Sequence, residues 1–177
     1  DDVRLDDAYT VFGKTLTAAA TEWGKGDLVI NGVEIYNSDV KTDTAAKKVE
    51  AINNFSSDTG VTASLSHRLV FDFSAKYAST NTSTDTFVIN GSSAVVGTSI
   101  ENLVSNINAL TATTGVTAEE VGTNLVLHAS GLSQIKIEEQ NTSGTTTNTE
   151  DKVTDATYQA QIRLDSAANS PISIELG

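Results

Sequence analysis

Short apolar runs separated by turn residues dominate this chain, and two of them are nearly the same. Leu28-Val29-Ile30 and Val33-Glu34-Ile35 flank Asn31-Gly32. Asn-Gly tolerates the two positive φ angles of a type I′ turn better than almost any other pair, so this stretch predicts a β-hairpin. A two-residue turn also fixes register: Ile30 faces Val33 and Leu28 faces Ile35 on one buried face, while Val29 and Glu34 share the other. Phe87-Val88-Ile89, Asn90-Gly91 and Ser92-Ser93-Ala94 repeat the arrangement. Here Ser92 and Ala94 take the places of Val33 and Ile35, which predicts a less deeply packed hairpin.

A helical period follows each hairpin. Ile100, Leu103, Val104 and Ile107 fall at i, i+3, i+4 and i+7, and Thr98 with Glu101 reads as a capping box. The earlier copy is weaker: Ala45, Val49 and Ile52 form the stripe, Lys47, Lys48 and Glu50 turn to solvent, and Thr42, Asp43 or Thr44 supplies the cap. Gly60 and Gly115 then stop the helices in the left-handed conformation. Strands are predicted over 61–65 and 69–73, with His67-Arg68 at a hairpin turn between them, and over 116–121 and 125–127. Each copy therefore reads as hairpin, helix, hairpin.

The matches run in the same order. Ile30-Asn31-Gly32, Ile52-Asn53 and Thr59-Gly60-Val61-Thr62-Ala63 return as Ile89-Asn90-Gly91, Ile107-Asn108 and Thr114-Gly115-Val116-Thr117-Ala118. The interval from Asn90 to Asn108 is four residues shorter than that from Asn31 to Asn53. The difference lies in the hairpin-to-helix connection, where surface loops absorb it. We read a duplicated structural unit, with Asn31, Gly32, Gly60, Asn90, Gly91 and Gly115 as its structural turn residues.

The remaining segments complete the organisation. Residues 1–25 are an opening segment expected to pair with a lobe, 26–78 the first lobe, 79–140 the second and 141–157 a polar loop. In 158–177, Tyr158, Ala160, Ile162 and Leu164 alternate on one face, Ser166 to Ser170 make a turn, and Ile172 and Ile174 follow, which reads as a closing β-hairpin. The expected fold is α+β, predominantly β: two similar hairpin-helix-hairpin lobes plus that hairpin. A lone hairpin is marginal in water, so it should pair with the opening segment or with one of the copies.

Composition narrows function more than fold. The formal charge is −12, with Lys and Arg dispersed, which leaves no basic face for nucleic acid and disfavours an anionic membrane surface. No apolar run approaches the length of a membrane span, and the stretch beginning at Asp1 shows no signal-peptide pattern. Cys and Met are both absent, so there is no disulfide framework and no sulfur metal site. Ser and Thr are far above ordinary usage, as suits a solvated β-rich surface. The acidic, structured-looking start without Met suggests a piece of a longer protein.

Candidate chemistry is sparse. The two histidines, His67 and His128, have no companion in the sequence. HExxH, GxSxG and phosphate-binding glycine loops are absent, so no catalytic residue, cofactor or metal is assigned. Asp1, Asp2, Asp6 and Asp7 cluster, and Glu119-Glu120, Glu138-Glu139 and Glu150-Asp151 form pairs, but without the spaced loop of a calcium site they read as a solvated acidic surface. Trp23 and Tyr36 are either a sugar-stacking platform or anchors of a small core or an interdomain seam. Asn54, Asn81, Asn90 and Asn141 begin N-x-Ser/Thr triplets.

The repeated DLVINGVEI and DTFVINGSSA hairpins, each followed by a helix ending in Ile-Asn and then by TGVTA, resemble the flagellin hook IN motif of bacterial flagellin outer domains and flagellar hook-associated proteins. The terminal IRLDSAANSPISIEL is similar to the hairpin by which flagellin variable regions return toward their helical core, except that Asn169 and Ser170 stand where Gly is common. The long terminal helices of flagellin are missing here. The resemblance implies a non-enzymatic, extracellular structural role in motility: the outer domain of a filament subunit, governing filament surface, neighbour contacts and antigenicity. The implied partners are other copies of the full-length subunit and host immune receptors or antibodies. Lack of Cys suits a subunit exported unfolded, and the negative charge would keep closely spaced subunits soluble. Flagellin-like proteins are often O-glycosylated on outer loops, which makes Thr142, Ser143, Thr145, Thr146 and Thr147 the preferred candidates. A hook-associated junction or cap protein, or a glycan-binding adhesive module, is the alternative.

Overall fold

In a computed structural model, the chain is mixed α+β, mostly β, with several antiparallel sheets. The structure describes residues 10–13, 21–74, 85–93, 95–139 and 155–177. Contacts divide the chain into two compact units, Asp1–Ser66 with Ala160–Gly177, and His67–Gln159. The second unit is thus an insertion within the first. The divisions expected from sequence at 78/79 and 140/141 fall elsewhere, because the first unit is completed by strands from the far end of the chain.

In the first unit, β1 (Thr10–Gly13) pairs antiparallel with β11 (Gln161–Ser166), which pairs in turn with β4 (Val61–Asp72). A second small sheet joins β12 (Ile174–Leu176) to β2 (Leu28–Ile30) and β2 to β3 (Val33–Glu34). Helix α1 (Ala45–Asn54) and the single turn α2 (Ser56–Thr59) lie between β3 and β4 in sequence. Leu28, Ile30, Ile35, Ala51, Ile52, Val61, Ala63, Ile162 and Leu164 make the core. The closing hairpin expected at 158–177 is not formed: β11 and β12 belong to different sheets. Burial accompanies this: Ile162 and Leu164 fill the core beside β4, and Ile174 packs against it from β12, paired to β2.

In the second unit, β5 (Asp85–Ile89) pairs with β6 (Val95–Gly97) and with β9 (Gln134–Glu139), which pairs with β10 (Ala156–Gln159). Helix α3 (Ile100–Ala109) and the turn α4 (Thr111–Thr114) precede the hairpin of β7 (Val116–Val121) and β8 (Asn124–Ser130). Ile89, Val95, Leu103, Ile107, Val116, Leu125, Leu127, Ile135 and Ile137 anchor a separate core. Tyr158 meets Phe71 edge-on, with ring centroids 5.9 Å apart.

Four local expectations need correction. No turn forms at His67-Arg68: β4 runs unbroken for 12 residues, and His67 is buried on the face that also buries Val61, Ala63, Leu65 and Phe71. The second hairpin keeps its turn, with Ser92 N donating to Ile89 O, but its strands pair with Phe87 opposite Val95, one residue later than a tight two-residue register allows. That one-residue bulge turns the buried Val95 inward, so the core contact expected to be weak is made by a valine. The cap of α3 is Ser99, which accepts from Asn102 N, rather than Thr98. Lys48 lies buried rather than in solvent.

Candidate functional site

The repeated residues form two sets of hydrogen bonds, one in each unit. Asn31 and Gly32 have φ of 50° and 80°, and Asn90 and Gly91 have 51° and 70°. These are the left-handed angles that the turn requires. The asparagine side chains do more than permit the turn. Asn31 Nδ2 donates to Thr59 O at 2.8 Å, and Asn31 Oδ1 accepts from Ser173 N at 2.8 Å. In the second unit, Asn90 Nδ2 donates to Thr114 O at 2.9 Å and Asn90 Oδ1 accepts from Lys136 N at 2.8 Å. The backbone joins in, with Asn31 N donating to Ser173 O and Asn90 N to Lys136 O. Each asparagine therefore ties the hairpin to the helix terminus on one side and to a third segment on the other.

The helix-terminal asparagines make a second clamp. Asn53 Nδ2 donates to Ala63 O and Asn53 Oδ1 accepts from Ala63 N, at 3.0 and 2.7 Å. Asn108 does the same with Ala118, at 3.0 and 2.8 Å. A side-chain amide presents one donor and one acceptor with the spacing of a peptide group, so it satisfies both backbone groups at once. Thr59 and Thr114 complete the set. Thr59 Oγ1 donates to Phe55 O and accepts from Val61 N, while Thr114 Oγ1 donates to Leu110 O and accepts from Val116 N. Between them sit Gly60 and Gly115, with φ of 70° and 72° at the helix ends.

The third segments also correspond. Val61, Ala63 and Leu65 face Ser166, Leu164 and Ile162, just as Val116, Ala118 and Glu120 face Ala129, Leu127 and Leu125. Ile174 pairs with Ile30 and Ile137 with Ile89. In register, Ile162 to Glu175 thus stands beside its unit as Leu125 to Glu138 stands beside the other. Sequence reading missed this relation because only scattered positions match: Leu127 with Leu164, Ser133 with Ser170, and Ile135, Ile137 and Glu138 with Ile172, Ile174 and Glu175. The chain matches no known family model and no curated protein sequence.

Other singled-out residues are placed as follows. Trp23 and Tyr36 do lie on one groove, of about 330 Å³, together with Glu22, Asn37, Ser38 and Lys41. An ammonium stands over each ring: Lys48 Nζ is 5.4 Å from the Trp23 centroid and Lys25 Nζ 5.9 Å from that of Tyr36. Lys48 Nζ also donates to Thr21 O at 3.0 Å. Burial lowers the pKa of Lys48, and Asp43 partly opposes this.

His67 Nε2 donates to Leu132 O at 2.9 Å, while its buried Nδ1 has no partner among the described residues. Desolvation lowers the His67 pKa, opposed by the bond to Leu132. His128, without a companion in sequence, meets Glu119 across the β7–β8 pair at 2.8 Å on the exposed side. Glu138 pairs with Lys136 at 2.8 Å. Among the described residues, no three His, Asp or Glu side chains gather to hold a metal ion, and no helix is long and apolar enough to cross a membrane. Of the glycosylation triplets, Asn90 has both side-chain amide atoms engaged, and Asn54 is exposed. Asn81, Asn141, Thr142, Ser143, Thr145, Thr146 and Thr147 lie outside the described residues, as do Asp1, Asp2, Asp6, Asp7, Glu150 and Asp151.

Proposed function

We propose that this chain is the surface-exposed outer domain of a flagellin, built from two copies of one hairpin-helix-strand unit, and that it serves as a non-enzymatic structural element of an extracellular filament. The observation that carries the reading is the double set of clamps. Asn31 with Asn90, Asn53 with Asn108, and Thr59 with Thr114 make the same bonds at the same places, so the flagellin-like motif residues serve to hold backbone together. The charge of −12 suits a surface displayed at high density, where copies of the full-length subunit must sit close without sticking.

Immunogold labelling tests this reading. Antibodies raised against residues 1–177 should decorate flagella along their whole length on cells expressing the full-length protein. Label confined to the hook junction or the tip would transfer the reading to a hook-associated protein. Label absent from flagella would overturn it. Intact-mass measurement of native filament subunits tests glycosylation at Thr142 to Thr147, where an unmodified mass removes the idea.

The Trp23 and Tyr36 groove favours a second, adhesive reading, since aromatic rings beside Asn37 and Ser38 could stack and hydrogen-bond a saccharide. A glycan array probed with the fragment tests it, and uniform absence of binding removes it.

A further inference from the structure

The chain contains two Asn-Gly pairs, Asn31-Gly32 and Asn90-Gly91, and both asparagines are clamp residues. Asn-Gly is chemically the most labile asparagine context, because glycine has no side chain to hinder its backbone nitrogen. That nitrogen, once deprotonated, attacks the asparagine Cγ. The new C–N bond closes a succinimide ring, the Cγ–Nδ2 bond breaks, and the nitrogen leaves as ammonia. Water then opens one of the two ring carbonyls, leaving aspartate or isoaspartate.

We propose that Asn31 and Asn90 are latent deamidation sites, sealed while their units are folded and converted when the units open. The seal is geometric. For attack, the side-chain amide must rotate until Cγ lies over the following nitrogen. In the folded chain Asn31 Nδ2 is held by Thr59 O and Oδ1 by Ser173 N, on two separate segments, so the amide cannot turn without breaking both bonds. Thr114 O and Lys136 N hold Asn90 in the same way. The turn backbone is equally fixed, with φ of 50° and 51° at the two asparagines.

Conversion is also one-way for the fold. An aspartate at position 31 has no N–H to give Thr59 O, and it sets a carboxylate oxygen against that carbonyl. Isoaspartate adds a methylene to the main chain inside a two-residue turn. Either product leaves a carbonyl without its donor and weakens the unit against refolding. An excursion that opens a unit is therefore recorded covalently, at a named residue in each unit.

Peptide-resolved mass spectrometry tests the proposal. The chain is held at mildly alkaline pH, either folded or unfolded in urea, and deamidation at Asn31 and Asn90 is followed with time. Both sites should convert at least about ten-fold more slowly in the folded chain, the factor given by about 1.4 kcal/mol of opening free energy. Equal rates in the two states would overturn the proposal. In Ser173→Pro, which removes the N–H held by Asn31 Oδ1, Asn31 should convert faster in native buffer, with Asn90 in the same molecule unchanged. Faster conversion at both sites means that the variant opens both units, and it still places the seal in the fold. Slow conversion at both sites in this variant would overturn the clamp as the seal.

Discussion

Asn53 and Ala63 exchange two hydrogen bonds, side chain to backbone, as neighbouring strand residues exchange them backbone to backbone. The last turn of α1 is thereby tied to the strand ten residues on, and the bridge depends on one amide. Asn53→Ala leaves the Ala63 N–H and C=O without these partners and should cost about 1–3 kcal/mol. Asn53→Asp keeps the acceptor but opposes a carboxylate to Ala63 O, so it should not restore stability. Urea unfolding followed by circular dichroism measures both, and Asn108→Ala should behave alike through Ala118.

His67 predicts an acid limb in stability. Its folded pKa lies below 6.5, so between the folded value and 6.5 the unfolded chain holds a proton that the native chain does not. Stability therefore falls as pH drops through that window and levels once both states are protonated. His67→Gln, which can still donate to Leu132 O but does not titrate, should flatten this limb. Urea midpoints measured against pH for the two proteins give the comparison.

Lys48 predicts a rise at the alkaline end. Its folded pKa lies below 10.5, so above the folded value the native chain releases a proton that the unfolded chain keeps until 10.5. Stability gains with pH inside that window, the reverse of a lysine held by a surface ion pair. The difference in stability between wild type and Lys48→Met should shift in favour of wild type as pH approaches 10.5. A difference constant with pH would contradict it.

Gly97 is sealed by packing rather than by backbone angle. A Cβ there would stand 2.5 Å from Leu103 Cδ2 and 2.6 Å from Cγ, inside the core beneath α3. Gly97→Ala should cost about 1–3 kcal/mol through overpacking. Gly122→Ala faces open space and meets only the strain of φ 62°, roughly 1 kcal/mol. The order of the two thermal midpoints checks the distinction.

What could be read in advance was whatever short-range chemistry decides. Asn31-Gly32, Asn90-Gly91, Gly60 and Gly115 announce their conformations because few other residues accept those φ angles. The apolar stripe of Ile100, Leu103 and Ile107 likewise fixes which face of α3 is buried. Partners remote in sequence could not be read. Nothing local in Ile172 to Leu176 says that this segment leaves β11 to join β2, and nothing in Ser173 says that its N–H completes the turn at Asn31, 142 residues away.

His67-Arg68 reads as a turn because Ser66, His67 and Arg68 are three polar residues in a row, yet alternation at period two carries His67 inward with Val61, Ala63 and Leu65. Lys48 departs from its expected place for a related reason. A lysine on a weak stripe reads as solvent-facing until Trp23 and Thr21 are known to lie over it.

Ser66 and Gln161 are opposite partners on the β4–β11 ladder, and the chain leaves the first unit after one and comes back just before the other. Ninety-odd residues thus leave and rejoin the first unit at facing positions of one ladder, whose register runs from Ser66 opposite Gln161 to Val61 opposite Ser166. The cut ends of the first unit are held together by its own strand pairing, so that its two segments meet although 93 residues separate them in the chain.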